Sequence, residues 1–407
     1  MRLLKISWSN IQHKPLNTLL SIVLLAFGIG IISMMLLLKA QISEKFDRNI
    51  KDIDFVLAAK GSPLQSMLAN IYHVDVPTGN IKVSEAKRII KNPMVAEAIP
   101  LAYGDNYEKY RIVGTNEKYP NHYGCTLAEG TLFAAPFEVT IGASVARETG
   151  LKVGSTFTSV HGYDNAAEDA DAHHHQLFTV VGIFERSNSV IDNLILTPVE
   201  TTWMVHEHPE EAAAGDSTSV DSTHVEPERE MTAYLIKKRN KGAFGMLSKQ
   251  TEDTTMQLAN VAVENSRLMN NFGLGLSTIT AIAVVIMVIS FISIFISLFN
   301  SMRERRYELA LMRTMGGTRT TLFALIIQEG LLLVFIGYAV GLLLSRTGLL
   351  VLSKFMEESF HYGLDNLAIT TQELALLGLT LFVGLLASVI PAWQALKIDI
   401  SKTLTNA

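Results

Sequence analysis

Residues Thr18 to Leu38 contain no charged side chain. A bilayer core of about 30 Å is crossed by about 20 such residues at 1.5 Å of helical rise each. In that medium the backbone N–H and C=O groups find no water and must pair within a helix, so the run commits the chain to a membrane. Three further runs repeat the signal: Leu268 to Met302 is uncharged, Thr320 to Ser345 is interrupted only by Glu329, and Leu374 to Leu396 is uncharged. A hydrophobic content of 48%, only 18% charged residues and a mean hydropathy of +0.26 agree with this reading. The first run is too long for a cleaved signal, and Leu38 to Ala40 makes a poor cleavage site.

The expected fold class is an α-helical membrane protein with four transmembrane helices and a large α+β extracytoplasmic domain between spans one and two. The expected segments are 1–17, a cytoplasmic amphipathic helix; 18–38, span one; 39–271, the outer domain with a helical stalk; 272–302, span two; 303–319, a cytoplasmic coupling helix; 320–345, span three; 346–373, an outer loop; 374–396, span four; and 397–407, a cytoplasmic tail. Orientation follows the basic residues of short loops. Arg2, Lys5 and Lys14 precede span one without an acid, and five arginines face two glutamates between spans two and three. Both ends of the chain are therefore expected in the cytoplasm.

The formal charge of −5 divides into −10 over residues 40–271 and +5 over the remainder. That balance argues against nucleic acid as a partner, since no basic surplus exists to neutralise phosphates. The lone Cys125 excludes an internal disulfide framework. No G-x-x-x-x-G-K-[ST] phosphate loop occurs in these 407 residues. The expectation is thus that the chain is not itself an ATPase and that any ATP is bound by a partner subunit.

Between spans two and three, Arg303 to Gly317 reads R-E-R-R-Y-E-L-A-L-M-R-T-M-G-G. Tyr307, Leu311 and Met315 fall on one helical face. Gly316 and Gly317 suit a left-handed helix stop, and Thr318 offers an N-cap oxygen to span three. A basic topogenic loop is the plainer reading of the same residues. The segment Arg305-Arg306-x-Glu308-Leu309-Ala310-Leu311-Met312-Arg313-Thr314-Met315-Gly316-Gly317-Thr318 closely resembles the motif after the second span in FtsX-like and MacB-like permeases of ABC transporters. Residues 3 to 18, with Leu4, Trp8 and Ile11 at helical spacing, are similar to that family's leading helix. So are Glu329-Gly330-Leu331-Leu332 within span three and the closing Pro391-Ala392-Trp393-Gln394-Ala395-Leu396, although Ile400 stands where a proline commonly follows Asp399.

The resemblance implies two four-span permeases in the inner membrane of a bacterial cell, expected as a homodimer with a heterodimer left open, above a dimer of separate ATPase subunits. It implies that Arg303, Arg305, Arg306, Glu308, Leu311, Met312, Arg313, Gly316 and Gly317 belong to the ATPase-coupling helix. It also implies mechanotransmission, in which ATPase closure moves the outer domains, with or without a periplasmic partner or adaptor. Zinc or other transition-metal-linked transport, export of small molecules or lipoproteins as in MacB-like and LolE-like systems, and FtsX-like regulation of a cell-wall hydrolase are the tasks open to such a protein.

Three small-residue pairs one turn apart, Ala26 and Gly30, Gly337 and Gly341, Gly384 and Ser388, permit close helix approach, within the chain or at a dimer seam. Glu329 lies about 15 Å deep, where an ionised carboxylate is costly, so it faces other helices.

In the outer domain, strands are expected at Asp54–Ala59, Ala96–Ala102, Tyr110–Gly114, Leu177–Phe184, Leu194–Leu196 and Ala233–Lys237, and helices at Ser84–Lys91, Ala143–Thr149 and Val199–Val205. Gln257 to Asn271 is expected to form the stalk. Leu64, Met67, Leu68 and Ile71 share a helical face suited to core packing, a membrane surface or an apolar cargo. Two polar segments carry histidines among acids: His161, Asp171, His173, His174 and His175 in one, His206, His208 and His224 in the other. Imidazole and carboxylate ligands suit Zn(II), and the plainer alternative is a pair of solvated acidic insertions.

Overall fold

The computed structural model describes residues 7, 9, 15–161, 172–206, 228–360 and 368–396. The chain forms two compact units, Ser43–Asn270 and a second made of Met1–Ile42 with Asn271–Ala407.

The first unit is built on twelve strands: β1 (Phe55–Ala59), β2 (Ile81–Lys82), β3 (Val95–Tyr107), β4 (Tyr110–Thr115), β5 (Leu127–Gly130), β6 (Glu138–Ile141), β7 (Thr156–His161), β8 (Ala172–Phe184), β9 (Leu194–Pro198), β10 (Glu230–Met231), β11 (Ala233–Lys238) and β12 (Met256–Asn260). Ten of them form one sheet in the order β12-β1-β11-β3-β4-β9-β6-β8-β5, with β7 bridging β3 and β8. The pairings β3–β4, β4–β9, β9–β6, β6–β8, β8–β7 and β7–β3 close a ring of six strands. Closure requires bending, and β3 supplies it where its register slips between Tyr103 and Asn106. Alternate residues of the ring strands, Tyr110 and Ile112, Val139 and Ile141, Phe178 and Val180, pack into one buried cluster with Phe157 and Ile195.

The six strands and three helices expected from periodicity all form, with ends shifted by a few residues. The long β3 and β8 extend well beyond their expected ranges. The stalk reading needs correction. Met256–Asn260 is strand β12, paired with β1, and the helix begins only at Val261 and runs to Glu304. The Leu64–Ile71 face packs into the core. Pro63–Met67 is α-helical, Leu68–Tyr72 widens into a π turn, and Met67, Ile71 and Tyr72 lie in the same cluster as Tyr119 and Leu196. His73 closes that turn in the left-handed region at φ 56°.

The second unit holds the apolar parts of four long helices found among the described residues. Their described bounds are Pro15–Ile50, Val261–Glu304, Arg319–Phe360 and Thr371–Leu396, and each is long and apolar enough to cross a membrane. Leu25, Ile29 and Ile32 of the first meet Met287, Phe291 and Ile294 of the second and Leu333, Val334 and Tyr338 of the third in one cluster. Of the expected leading helix, 1–17, residues 1–14 lie outside the described residues apart from 7 and 9, and so does the tail, 397–407.

Candidate functional site: the short helix between spans two and three

The helix of span two ends at Glu304, the chain turns at Arg305, and a separate nine-residue helix covers Arg306–Thr314. Its stop depends on two glycines for different reasons. Gly316 takes φ +97°, a conformation that side-chain-bearing residues adopt only at a cost. The Gly317 N–H donates to the Met312 carbonyl at 2.9 Å, and a Cβ on Gly317 would lie 2.7 Å from that oxygen. Thr318 Oγ1 then accepts from the Thr321 N–H at 3.2 Å, capping span three.

This helix is held by one face and presents another. Leu309 is buried against Met302, Leu322, Leu325, Ile326, Ala392 and Ala395, with Met312 packed at the edge, and Ala310 beside it is buried as well. Tyr307, Leu311 and Met315 are 49%, 43% and 75% exposed. Arg303, Arg306 and Glu308 are exposed beside them, while Arg305 and Arg313 are half-buried. The result is a rigid knob with an uncovered apolar stripe and a basic margin. Its buried side rests on spans two, three and four.

The small residues of the spans meet one another within this chain. Cβ atoms built on Gly30 and Gly341 would lie 3.1 Å from the Gly341 carbonyl oxygen and 3.0 Å from the Ala26 carbonyl oxygen, so spans one and three touch backbone to backbone. Gly337 lies against Leu25, Gly384 against Val334, and Gly330 against the Ser388 hydroxyl. Glu329 is buried among the helices, on the same span as Gly330.

A polar cluster escaped the sequence reading because Arg346 and Glu373 were placed at the two ends of an outer loop. Arg346 instead sits within the third helix, and Glu373 in the first turn of the fourth. Arg346 Nη1 and Nη2 donate to Glu373 Oε1 and Oε2 at 2.7 and 2.8 Å. Ser33 Oγ of span one donates to the same carboxylate and lies 2.9 Å from Ser345 Oγ, the second hydroxyl of the cluster. Thr370 and Glu373 form a reciprocal capping box: the Thr370 N–H donates to Glu373 Oε2 at 2.9 Å and the Glu373 N–H to Thr370 Oγ1 at 3.3 Å. That T-x-x-E spacing before an apolar run was the available signal.

The metal reading meets the limit of what is described. Asp171, His208 and His224 lie outside the described residues, as do the side chains of His161, His173, His174, His175 and His206. Among the described residues no group of three His, Cys, Asp or Glu side chains converges as a metal site would. Burial pushes the Cys125 thiol up to about 11, as expected of an inert thiol. The outer unit also carries a groove of about 230 Å³ lined by Tyr103, Thr202, Trp203 and Met231, where the Arg229 guanidinium lies 4.8 Å over the Trp203 ring.

Residues 18–233, more than half of the chain, match the MacB-like periplasmic core domain, and residues 280–400 match the FtsX-like permease C-terminal domain. An uncharacterized ABC transporter permease protein of Mycobacterium tuberculosis is 25% identical over 333 residues, covering 77% of this chain and 35% of that protein. The pyoverdine export ATP-binding/permease protein PvdT of Pseudomonas entomophila is 23% identical over 419 residues, covering 99% of this chain and 58% of its own length. The chain thus spans about a third and somewhat over half of the curated relatives it matches. Among solved structures, the periplasmic region of MacB from Actinobacillus actinomycetemcomitans superposes with a TM-score of 0.34 at 13% identity, over 55% of this chain and 96% of that one. The extracellular domain of the noncanonic ABC-type transporter YknZ from Gram-positive bacteria gives 0.30 at 10% identity, over 51% and 99%. Membership rests on the family match across residues 18–233, joined by the second across 280–400: the chain belongs to the MacB-like, FtsX-like permeases of ABC transporters.

Proposed function

We propose that this chain is the membrane subunit that converts ATP hydrolysis on a separate ATPase into movement of its outer domain. The observation that carries the reading is the Arg306–Thr314 helix, anchored through Leu309 and open along Tyr307, Leu311 and Met315. An exposed apolar stripe with basic neighbours on a short helix with a firm C-terminal stop suits insertion into a groove of a partner protein. The basic flanks of this segment support a cytoplasmic location for it and a periplasmic one for residues 43–270.

The test is a fluorescence distance between the outer domain and a membrane-embedded reference in the assembled, reconstituted complex. A nucleotide-dependent change that disappears in Leu311→Glu supports the reading. A distance indifferent to nucleotide in a complex that hydrolyses ATP contradicts it.

A metal-linked cargo is the specific task the sequence favours, supported by the histidines grouped among acids in an outer domain of net charge −10. Zinc titration of the full chain, with His173, His174 and His175 changed together to alanine, tests that extension. Binding lost in the variant supports it, and unchanged or absent binding contradicts it.

A further inference from the structure

We propose that the turn between β11 and the helix Ala243–Thr251 is a docking face for anionic phospholipid headgroups, by which the bilayer draws on the outer unit. Such docking needs only a membrane-embedded chain. Its failure and a failure of ATPase coupling are therefore separate results.

The turn runs against the charge of its surroundings. Residues 40–271 carry a net −10, yet residues 237–241 read K-K-R-N-K and carry +4. Two of these charges are answered locally: Lys237 Nζ lies 3.2 Å from Glu97 Oε2, and Lys238 Nζ 2.7 Å from Asp54 Oδ1. Arg239 and Lys241 are exposed and have no ion-pair partner among the described residues. The same holds for Lys91, the C-cap of the helix Val83–Ile90. The Arg239 N–H donates to the Met94 carbonyl at 2.8 Å, which brings Lys91 to the same corner. Phe244 and Met246, in the first turn of the next helix, are 38% and 50% exposed, and the Phe244 ring lies 5.5 Å from that of Phe55. Cations without partners, flanked by exposed apolar side chains, suit an anionic bilayer surface: the charges attract phosphates and the apolar groups enter the boundary below them.

The fold puts this turn at the end of the outer unit where both long helices leave it. The first helix ends at Ile50, and β1 then pairs Phe55 with Ile236 of β11 on one side and with Asn260 of β12 on the other. The Val261 N–H, at the start of the second helix, donates to the Asp54 carbonyl at 3.1 Å, and the Lys238 N–H donates to the Asp54 carboxylate at 2.8 Å. Asp54 thus ties the basic turn to the roots of both helices. Ile50 lies twelve residues beyond Leu38, the end of the first uncharged run, on one continuous helix, which is about 18 Å of rise. A headgroup layer of about 5–7 Å takes up part of that rise. The remainder, about 12 Å, exceeds the Debye length of about 8 Å at physiological ionic strength and lies well inside the length of about 30 Å at 0.01 M. Attraction across it is therefore steeply salt-dependent and falls on the unpaired charges of Arg239 and Lys241. This placement favours the bilayer over a soluble acidic protein, for which no end of the unit is preferred.

The experiment uses the full chain carrying Cys125→Ser, with an uncharged fluorophore on Asn240→Cys in the exposed turn. The chain is placed in nanodiscs of phosphatidylcholine alone or mixed with phosphatidylglycerol, each holding a trace of headgroup-labelled acceptor lipid. At low salt, energy transfer is expected to be higher in the phosphatidylglycerol discs, and added salt is expected to remove the difference. Arg239→Gln combined with Lys241→Gln should remove it at low salt as well, and both side chains are exposed, so the fold tolerates the change. Lys241→Arg, which keeps the charge, should retain it. Equal transfer in the two discs at low salt would overturn the docking face and leave the turn to an acidic protein. A difference that survives the double variant would overturn it too.

Discussion

The guanidinium of Arg346 grips the carboxylate of Glu373 through two hydrogen bonds of 2.7 and 2.8 Å, joining the third and fourth apolar helices at a point where the carboxylate has no exposed surface. Removing one partner strands the other charge, which costs about 3–5 kcal/mol, whereas replacing both by apolar residues of similar volume costs less. Arg346→Met and Glu373→Leu should each lower unfolding stability in detergent markedly, and the double variant should be more stable than either. Additive losses in the double-mutant cycle would show that the pair does not act as a unit.

Two glycines in the same unit should respond oppositely to alanine. At Gly341 a Cβ would meet the Ala26 carbonyl and Ile29 at 3.0 Å, whereas at Gly378 nothing lies within 4 Å. Gly341→Ala should destabilise the bundle by about 1–3 kcal/mol through overpacking. Gly378→Ala should raise stability by up to about 1 kcal/mol, the helix-propensity difference. Thermal unfolding of both variants in the same detergent checks the contrast.

Gly316 sits at φ +97° with open space around its Cα. An alanine there is strained by the backbone alone, by about 1–2 kcal/mol. Gly316→Ala should therefore fray the end of the Arg306–Thr314 helix, and Gly316→Asn should fray it less, because asparagine tolerates left-handed conformations. Hydrogen exchange of the amides of position 316 and Gly317 in both variants measures the effect.

Stability of the outer unit should fall with acid. Burial, reinforced by Arg111, holds His73 down at about 3, and burial with Lys237 and Lys51 nearby holds His122 at about 4. An unfolded histidine titrates near 6.5, so below that pH the unfolded chain binds protons that the folded chain refuses. The stabilisation is complete above about pH 6.5 and is lost as pH falls toward the two folded values, at up to about 1.4 kcal/mol per pH unit for each group. His73→Asn keeps a residue suited to φ 56° and removes one titration. It should flatten the pH dependence of the melting temperature between 6.5 and 4. An unchanged slope would contradict the assignment.

Much of the fold was written in local patterns. Apolar length marked the four long helices, and the Leu194–Leu196 and Ala233–Lys237 runs marked strands that stand in the middle of the sheet. The short helix was legible as well, since Tyr307, Leu311 and Met315 share a face and Gly316 and Gly317 stop it. What periodicity lacked was the partner. β12 reads M-Q-L-A-N, with little β-branched content, and becomes a strand because β1 pairs with it. The ring closure through β7 depends on contacts between segments some fifty residues apart, which no window reports. Arg346 and Glu373 were misplaced for a related reason. Charge normally ends an apolar span, but the third helix runs on past Arg346 to Phe360, and Glu373 opens the fourth as its capping residue, so the helices outlast the apolar runs and the two charges meet between them.

The most direct test of the central claim is photo-cross-linking from the exposed stripe in native membranes. A benzophenone amino acid replacing Met315 or Leu311 should give an ABC ATPase as its principal adduct, identified by mass spectrometry, and the same group at the buried Ala310 should not. Cross-links from both stripe positions that contain no ATPase, in membranes where the chain is folded and inserted, would contradict the account.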